Sequence, residues 1–158
     1  MARSNLITSE GATRLRNELA DLWKNKRPEV TKAITAAAAE GDRSENAEYI
    51  YRKKQLREMD RRIRYLQKRT SEMQVVEHLP SDQSRVFFGA FVELEDEDGN
   101  QFSYRLVGSD EFDIAPEYIS IDSPLARALL KKQMDDEVIV RSPEGQKVYY
   151  INKIDYQK

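Results

Sequence analysis

The chain has 158 residues, no cysteine and a net charge of −2, so disulfides and thiolate metal sites are excluded and a reducing, cytoplasmic setting is expected. No apolar run nears the ~18 residues that span a bilayer, and no signal-peptide core opens the chain, which predicts a soluble protein. Charged residues make up 34%, above the ordinary share of about 25%, so extended surfaces must present charge to water. The charge is divided: residues 1–76 carry 17 Lys and Arg against 11 Asp and Glu, whereas residues 77–158 carry 9 against 17. That asymmetry points to two domains, the basic one facing something anionic, or to a chance segregation of solvated charge.

From Thr8 to about Glu40, Leu15, Leu19 and Leu22 step by four and three, as do Val30, Ile34 and Ala37, the spacing of one helix face. Thr8 or Ser9 can cap the start, and Pro28, which lacks an N–H, is expected to bend the middle. Gly41-Asp42-Arg43-Ser44 breaks the pattern: Gly41 suits the end of one helix and Ser44 the N-cap of the next. A second helix is predicted from Glu45 to about Val75, with a seam of Tyr49, Arg52, Leu56, Met59, Ile63, Leu66, Thr70 and Met73 in coiled-coil spacing. Two helices of this length with so short a turn must fold back antiparallel, about 45 Å long at ~1.5 Å per residue.

With Leu56 at position a of the heptad, Lys54, Arg57, Arg61, Arg64 and Lys68 alternate between f and b and form an outward ridge, flanked by Arg52 and Lys53, while Arg62 and Arg69 fall at g. Only Glu58, Asp60 and Glu72 dilute it. Such a ridge is either a solvated outer face or a partner for phosphate backbones or an acidic protein surface. At the turn, Asp42 and Glu45 could complement the helix dipole, or, three apart, could contribute ligands to Mg²⁺ that is otherwise held by water, phosphate or another protein.

The second half predicts strands at Val86–Glu95 and Phe102–Val107 about the hairpin turn Asp96–Gln101. A calcium loop fails there, because Leu94 would occupy the first ligand position. A strand at Tyr118–Asp122 precedes a short helix from Pro124 to Leu130 with Ser123 as its cap. Glu137–Arg141 and Lys147–Tyr156 pair across Ser142-Pro143-Glu144-Gly145. The result is an antiparallel sheet covered on one side: an α+β chain with a helical hairpin at 1–76, a linker at 77–84 and a sheet domain at 85–158. His78, in that linker, is expected to be structural or incidental, and Trp23 to pack near the hairpin base.

Three stretches, Gly41-Asp42-Arg43-Ser44-Glu45-Asn46-Ala47-Glu48-Tyr49, Arg27-Pro28-Glu29-Val30 and Ile119 through Leu130, resemble in order the signatures of the bacterial Gre transcript-cleavage factors. Val86-Phe87-Phe88-Gly89-Ala90 and the basic ridge are similar to the GreB-like members. The resemblance implies an N-terminal antiparallel coiled coil and an FKBP-like C-terminal domain. It also implies a protein that enters the secondary channel of RNA polymerase and stimulates hydrolysis of backtracked RNA by the polymerase itself. By the same resemblance, Asp42 and Glu45 help hold Mg²⁺ at the polymerase active site, and Ser44, Asn46 and Tyr49 belong to the tip motif. The ridge from Arg52 to Lys68 would then contact RNA near its 3′ end. Ile121, Asp122, Ser123, Pro124, Leu125 and Leu129 would dock on polymerase, and the free protein would be a monomer. Glu40 departs from the pattern, adding a third acid where these factors carry an apolar residue. Three other readings share the sequence: a channel blocker that does not stimulate cleavage, a stand-alone metal-dependent nuclease, and a structural coiled-coil adaptor. The nuclease is disfavoured, because a few carboxylates without histidine or a phosphate-cradling loop make a poor complete site.

Overall fold

A computed structural model describes residues 3–40 and 46–157 of the chain. It forms two units, one of Ala12–Glu72 and one of Met1–Gly11 with Met73–Lys158. The boundary expected at residue 76 thus falls at 72, and the first residues leave the helical unit. The cause is a strand pair absent from the sequence reading. β1 (Leu6–Thr8) lies parallel to β2 (Gln74–Val76), so the predicted second helix stops at Glu72 and the β-branched Val75 and Val76 enter a sheet.

The first arm of the helical unit comprises α1 (Ser9–Asp21), a five-residue π turn (Leu22–Lys26) and α2 (Arg27–Ala38). Pro28 accounts for the π turn. It offers no N–H, and its ring crowds the carbonyl four residues back; the widened turn answers this by letting the Arg27 N–H reach the carbonyl of Leu22. The return arm is α3 (Ala47–Glu72). Two cross-arm ion pairs set the antiparallel register, Arg62 with Glu18 at 2.6 Å and Arg27 with Asp60 at 2.7 Å. The Arg62 hydrogen bond holds the Glu18 carboxyl below its ordinary pKa. The predicted seam is present from Tyr49 to Thr70: Ile63 and Leu66 are buried, Tyr49, Arg52, Leu56, Met59 and Thr70 partly so, and Arg69 joins them from g, whereas Met73 lies beyond the end of α3. Trp23 departs from expectation. It is 54% exposed, with the Arg27 guanidinium 5.6 Å from its ring.

In the other unit, five strands run in the order β5–β4–β3–β7–β6: β3 (Phe91–Asp96), β4 (Gln101–Val107), β5 (Tyr118–Ser120), β6 (Glu137–Ser142) and β7 (Gly145–Asp155). Val86–Ala90 precedes the first of these as a turn rather than extending it. Gly89 takes φ +87°, and Ala90 N–H donates to the Phe87 carbonyl. The Asp96 carboxylate builds the β3–β4 turn, accepting from the backbone N–H groups of Asp98 and Asn100 and from the Asn100 side chain at 2.9–3.0 Å. Three strand pairings are antiparallel, but β5 joins β4 in parallel. The segment between β4 and β5, with a 3₁₀ turn at Phe112–Ile114, carries the chain back to the starting end, as a parallel neighbour requires. Val92, Leu94, Leu106, Val138 and Ile151 form the inner face, closed by α4 (Pro124–Leu129) through Ala126 and Leu129.

Candidate functional site

Asp42, Ser44 and Glu45 lie outside the described residues. The helix predicted from Glu45 is described from Ala47 onward, and Asn46 caps it. The Asn46 Oδ1 accepts from Tyr49 N–H at 3.1 Å while its Nδ2 donates to the Ala37 carbonyl at 2.6 Å. One amide therefore satisfies a free donor of the return arm and a free acceptor of the outgoing one, which also fixes how far apart the arms stand where the turn begins. Tyr49, half-buried, lines a shallow hollow with Ile34, Thr35, Ala38 and Ala39, and Glu40 is exposed. Asn46→Ala should lower hairpin stability by about 1–2 kcal/mol, read as a fall in melting temperature. Unchanged melting would remove that role.

Along α3, Lys53, Lys54, Arg57, Arg61, Arg64 and Lys68 are exposed. Among the described residues none of them forms an ion pair; Lys53 approaches the Tyr49 ring at 6.0 Å. Arg52 is different. Its Nε donates to Glu48 at 2.9 Å, its Nη1 to Gln55 at 2.9 Å, and its side chain is 32% exposed. It belongs to the seam, where its position d put it, and not to the free ridge.

The predicted docking segment is corrected in part. Leu129 is fully buried and Ile121 is 7% exposed; both are core residues under the sheet and cannot touch a partner. The Asp122 Oδ2 accepts from Ser4 N–H at 2.8 Å, and the Ser123 Oγ caps α4 by accepting from Ala126 N–H at 3.2 Å. Pro124 and Arg127 are exposed and Leu125 half-buried, so the surface here is narrower than the motif.

A further residue escaped the sequence reading. Glu111 is 1% exposed, and among the described residues its carboxylate has no basic partner. It accepts from the backbone N–H groups of Thr8 and Gly108, each at 2.8 Å, and from the Thr8 hydroxyl. The Thr8 Oγ1 in turn caps α1 by accepting from Gly11 N–H at 3.0 Å. The negative charge thus rests at a helix N-terminus, where the dipole favours it. The clasp is tight. A Cβ on Gly11 would collide with Glu111, and one on Gly108 with the Leu6 carbonyl.

No helix among the described residues is long and apolar enough to cross a membrane. A capped helical hairpin bearing unpaired cations, and a helix-backed mixed sheet, define a two-unit α+β protein organised around surfaces. Two family models match it in succession, "Transcription elongation factor, N-terminal" over residues 5–75 and "Transcription elongation factor, GreA/GreB, C-term" over residues 81–156. The chain is 58% identical over 155 residues to the transcription elongation factor GreB of Pseudomonas aeruginosa, covering 98% of this chain and 92% of that protein. It is 56% identical over 158 residues to GreB of Pasteurella multocida, covering all of both. Among solved structures, the GreA factor homolog 1 of Thermus thermophilus aligns at 24% identity and TM-score 0.45, over 97% of this chain and 99% of that one. The chain belongs to the GreA/GreB family of transcription elongation factors.

Proposed function

We propose that this elongation factor binds RNA polymerase in the bacterial cytoplasm, inserts its helical hairpin into the secondary channel and stimulates the polymerase's own hydrolysis of backtracked nascent RNA. The observation that carries the reading is the full-length similarity, above half identity, to proteins named transcription elongation factor GreB. Asp42 and Glu45 would supply carboxylate oxygens to a Mg²⁺ that belongs to the polymerase active site. In two-metal hydrolysis one cation activates water and the other stabilises the departing oxygen. The chain's own contribution is to bring those two acids to the site and hold them there. Asn46 supports this, because it anchors the residue next to Glu45 to both arms.

The ridge supports a role with the extruded RNA. Cations without internal ionic partners keep their full charge for phosphates. Replacing Arg57, Arg61 and Arg64 by Glu should preserve folding, since all three are exposed, while weakening cleavage in extensively backtracked complexes far more than in those backtracked by a few nucleotides. Equal cleavage of both by the triple variant would make the ridge a solvated face.

The deciding experiment incubates the protein with Mg²⁺ and end-labelled RNA, free or held in a stalled elongation complex. Cleavage is expected only with polymerase present. Hydrolysis of the free RNA by the purified chain would replace this reading with that of a nuclease.

A further inference from the structure

The outward ridge of α3 opens on two residues that a solvated face does not need. Ile50 and Tyr51 are 53% and 60% exposed. They stand at heptad positions b and c and bracket Lys54, which follows at f one turn on. Single exposed apolar side chains are ordinary, but two side by side at the head of a row of cations form a patch. Arg57 and Arg61 continue that row, exposed and without ion pairs among the described residues.

The Tyr51 ring is braced by the fold itself. The Arg52 guanidinium stands 5.6 Å from the ring centroid, within cation–π range, and is itself pinned by Glu48 and Gln55, each at 2.9 Å. Among the described residues the Tyr51 hydroxyl makes no hydrogen bond, so hairpin packing does not account for the ring. A braced aromatic beside unneutralised cations is the arrangement that suits a single-stranded nucleic acid: the cations follow the phosphates, and the ring stacks on a base. A ring already held loses little freedom when the base arrives. An acidic protein surface would engage the cations alone and leave both apolar side chains in water.

Position along the helix selects the base. Tyr51 follows the cap residue Asn46 by five residues, about 7.5 Å along α3 at ~1.5 Å per residue. The helix then runs away from the turn that carries Asp42 and Glu45, so a strand extruded from the cleaved bond passes Tyr51 before it reaches Arg57, Arg61 and Arg64.

We infer that Tyr51 stacks on one of the first bases on the 3′ side of the scissile phosphate, with Lys54 beside the neighbouring phosphate, and so positions the strand whose bond is broken. The inference rests on the proposed action on backtracked RNA. It adds to that action a contact with a base, where the ridge alone supplies contacts with phosphates.

The test uses extensively backtracked elongation complexes whose RNA is intact or abasic at successive nucleotides 3′ of the scissile bond. The full chain is compared with Tyr51→Leu and Tyr51→Phe, and stimulated cleavage is the rate above that of polymerase alone. With the parent, an abasic nucleotide at one of these positions should slow stimulated cleavage about tenfold, within the range of one stacked base. Tyr51→Leu should be slower than the parent on intact RNA by a similar factor, and should not distinguish intact from abasic RNA. Tyr51→Phe keeps the ring and should retain both the rate and the sensitivity. Melting temperatures close to that of the parent are expected, since the side chain is exposed. If the parent cleaves intact and abasic RNA equally, or if Tyr51→Leu keeps the parent's sensitivity, the inference is overturned while the cleavage-stimulating role stands. Lowered polymerase affinity of Tyr51→Leu, with that sensitivity kept, would make Tyr51 a contact with protein instead. A parent that stimulates no cleavage removes the larger reading and this inference with it.

Discussion

Asp42→Asn combined with Glu45→Gln should lower stimulated transcript cleavage by orders of magnitude while leaving polymerase binding nearly intact. Both replacements keep the size of the side chain and much of its hydrogen-bonding capacity, and both remove the charge that a divalent cation needs from its oxygen ligands. Raising Mg²⁺ should recover part of the lost rate, because a weakened site fills at higher ion concentration. The competing account is that the two acids only complement the dipole at the start of α3. On that account the double variant loses about 1 kcal/mol of helix stability or less and keeps its activity. Asn46 sharpens the contrast. It caps α3 and ties the return arm to Ala37, so the helix keeps a side-chain cap in the double variant. Competition binding, thermal melts and a cleavage assay on the same variant separate the two accounts: unaltered cleavage with a lowered melting temperature would sink the metal role.

The features legible in the sequence are the ones written locally. The three-four spacing from Tyr49 to Leu66, the Ser123-Pro124 helix start, and the turns at Asp96–Gln101 and Ser142–Gly145 each depend on neighbours within a few residues, and each stands where the spacing put it. What was missed depends on residues far apart. β1 and β2 have three residues each, and the positions they pair are 68 apart, so neither carries a strand signal until the other lies beside it. The cap of α3 was missed for a related reason. The sequence reading looked to Ser44, whereas Asn46 caps the helix, and its second bond, to the Ala37 carbonyl, exists only once the folded hairpin brings that carbonyl within reach. The docking motif shows a third limit, because the sequence marks Ile121 and Leu129 as part of a signature without showing that they are buried. Glu111 was the least legible. In an acid-rich half it reads as one more solvated carboxylate, and nothing near it in the chain shows that the first turn of α1 closes over it.

Truncating Glu111 to Ala should be among the most destabilising single changes available in the unit that contains it, at about 3–5 kcal/mol. That figure follows from the three groups left behind, the N–H of Thr8, the N–H of Gly108 and the Thr8 hydroxyl, each costing about 1–3 kcal/mol when buried without a partner, less what entering water repays. Glu111→Gln should cost much less. Both backbone N–H groups bond to the same carboxylate oxygen, Oε2, so a carboxamide oxygen in that place keeps them, and only the Thr8 hydroxyl must find a new acceptor. Gln also carries no charge, which lightens the desolvation that a buried carboxylate bears and offsets part of its lost attraction to the helix dipole. Gly11→Ala approaches the same clasp from the other side, since its Cβ collides with the Glu111 side chain, and it should destabilise although Ala is the better helix former. Denaturant unfolding of the three variants gives the ranking: Glu111→Ala well below Glu111→Gln, with Gly11→Ala below the parent. If the Glu111→Ala chain unfolds within about 0.5 kcal/mol of the parent, as a surface substitution would, the carboxylate is not what holds the first turn of α1 in place.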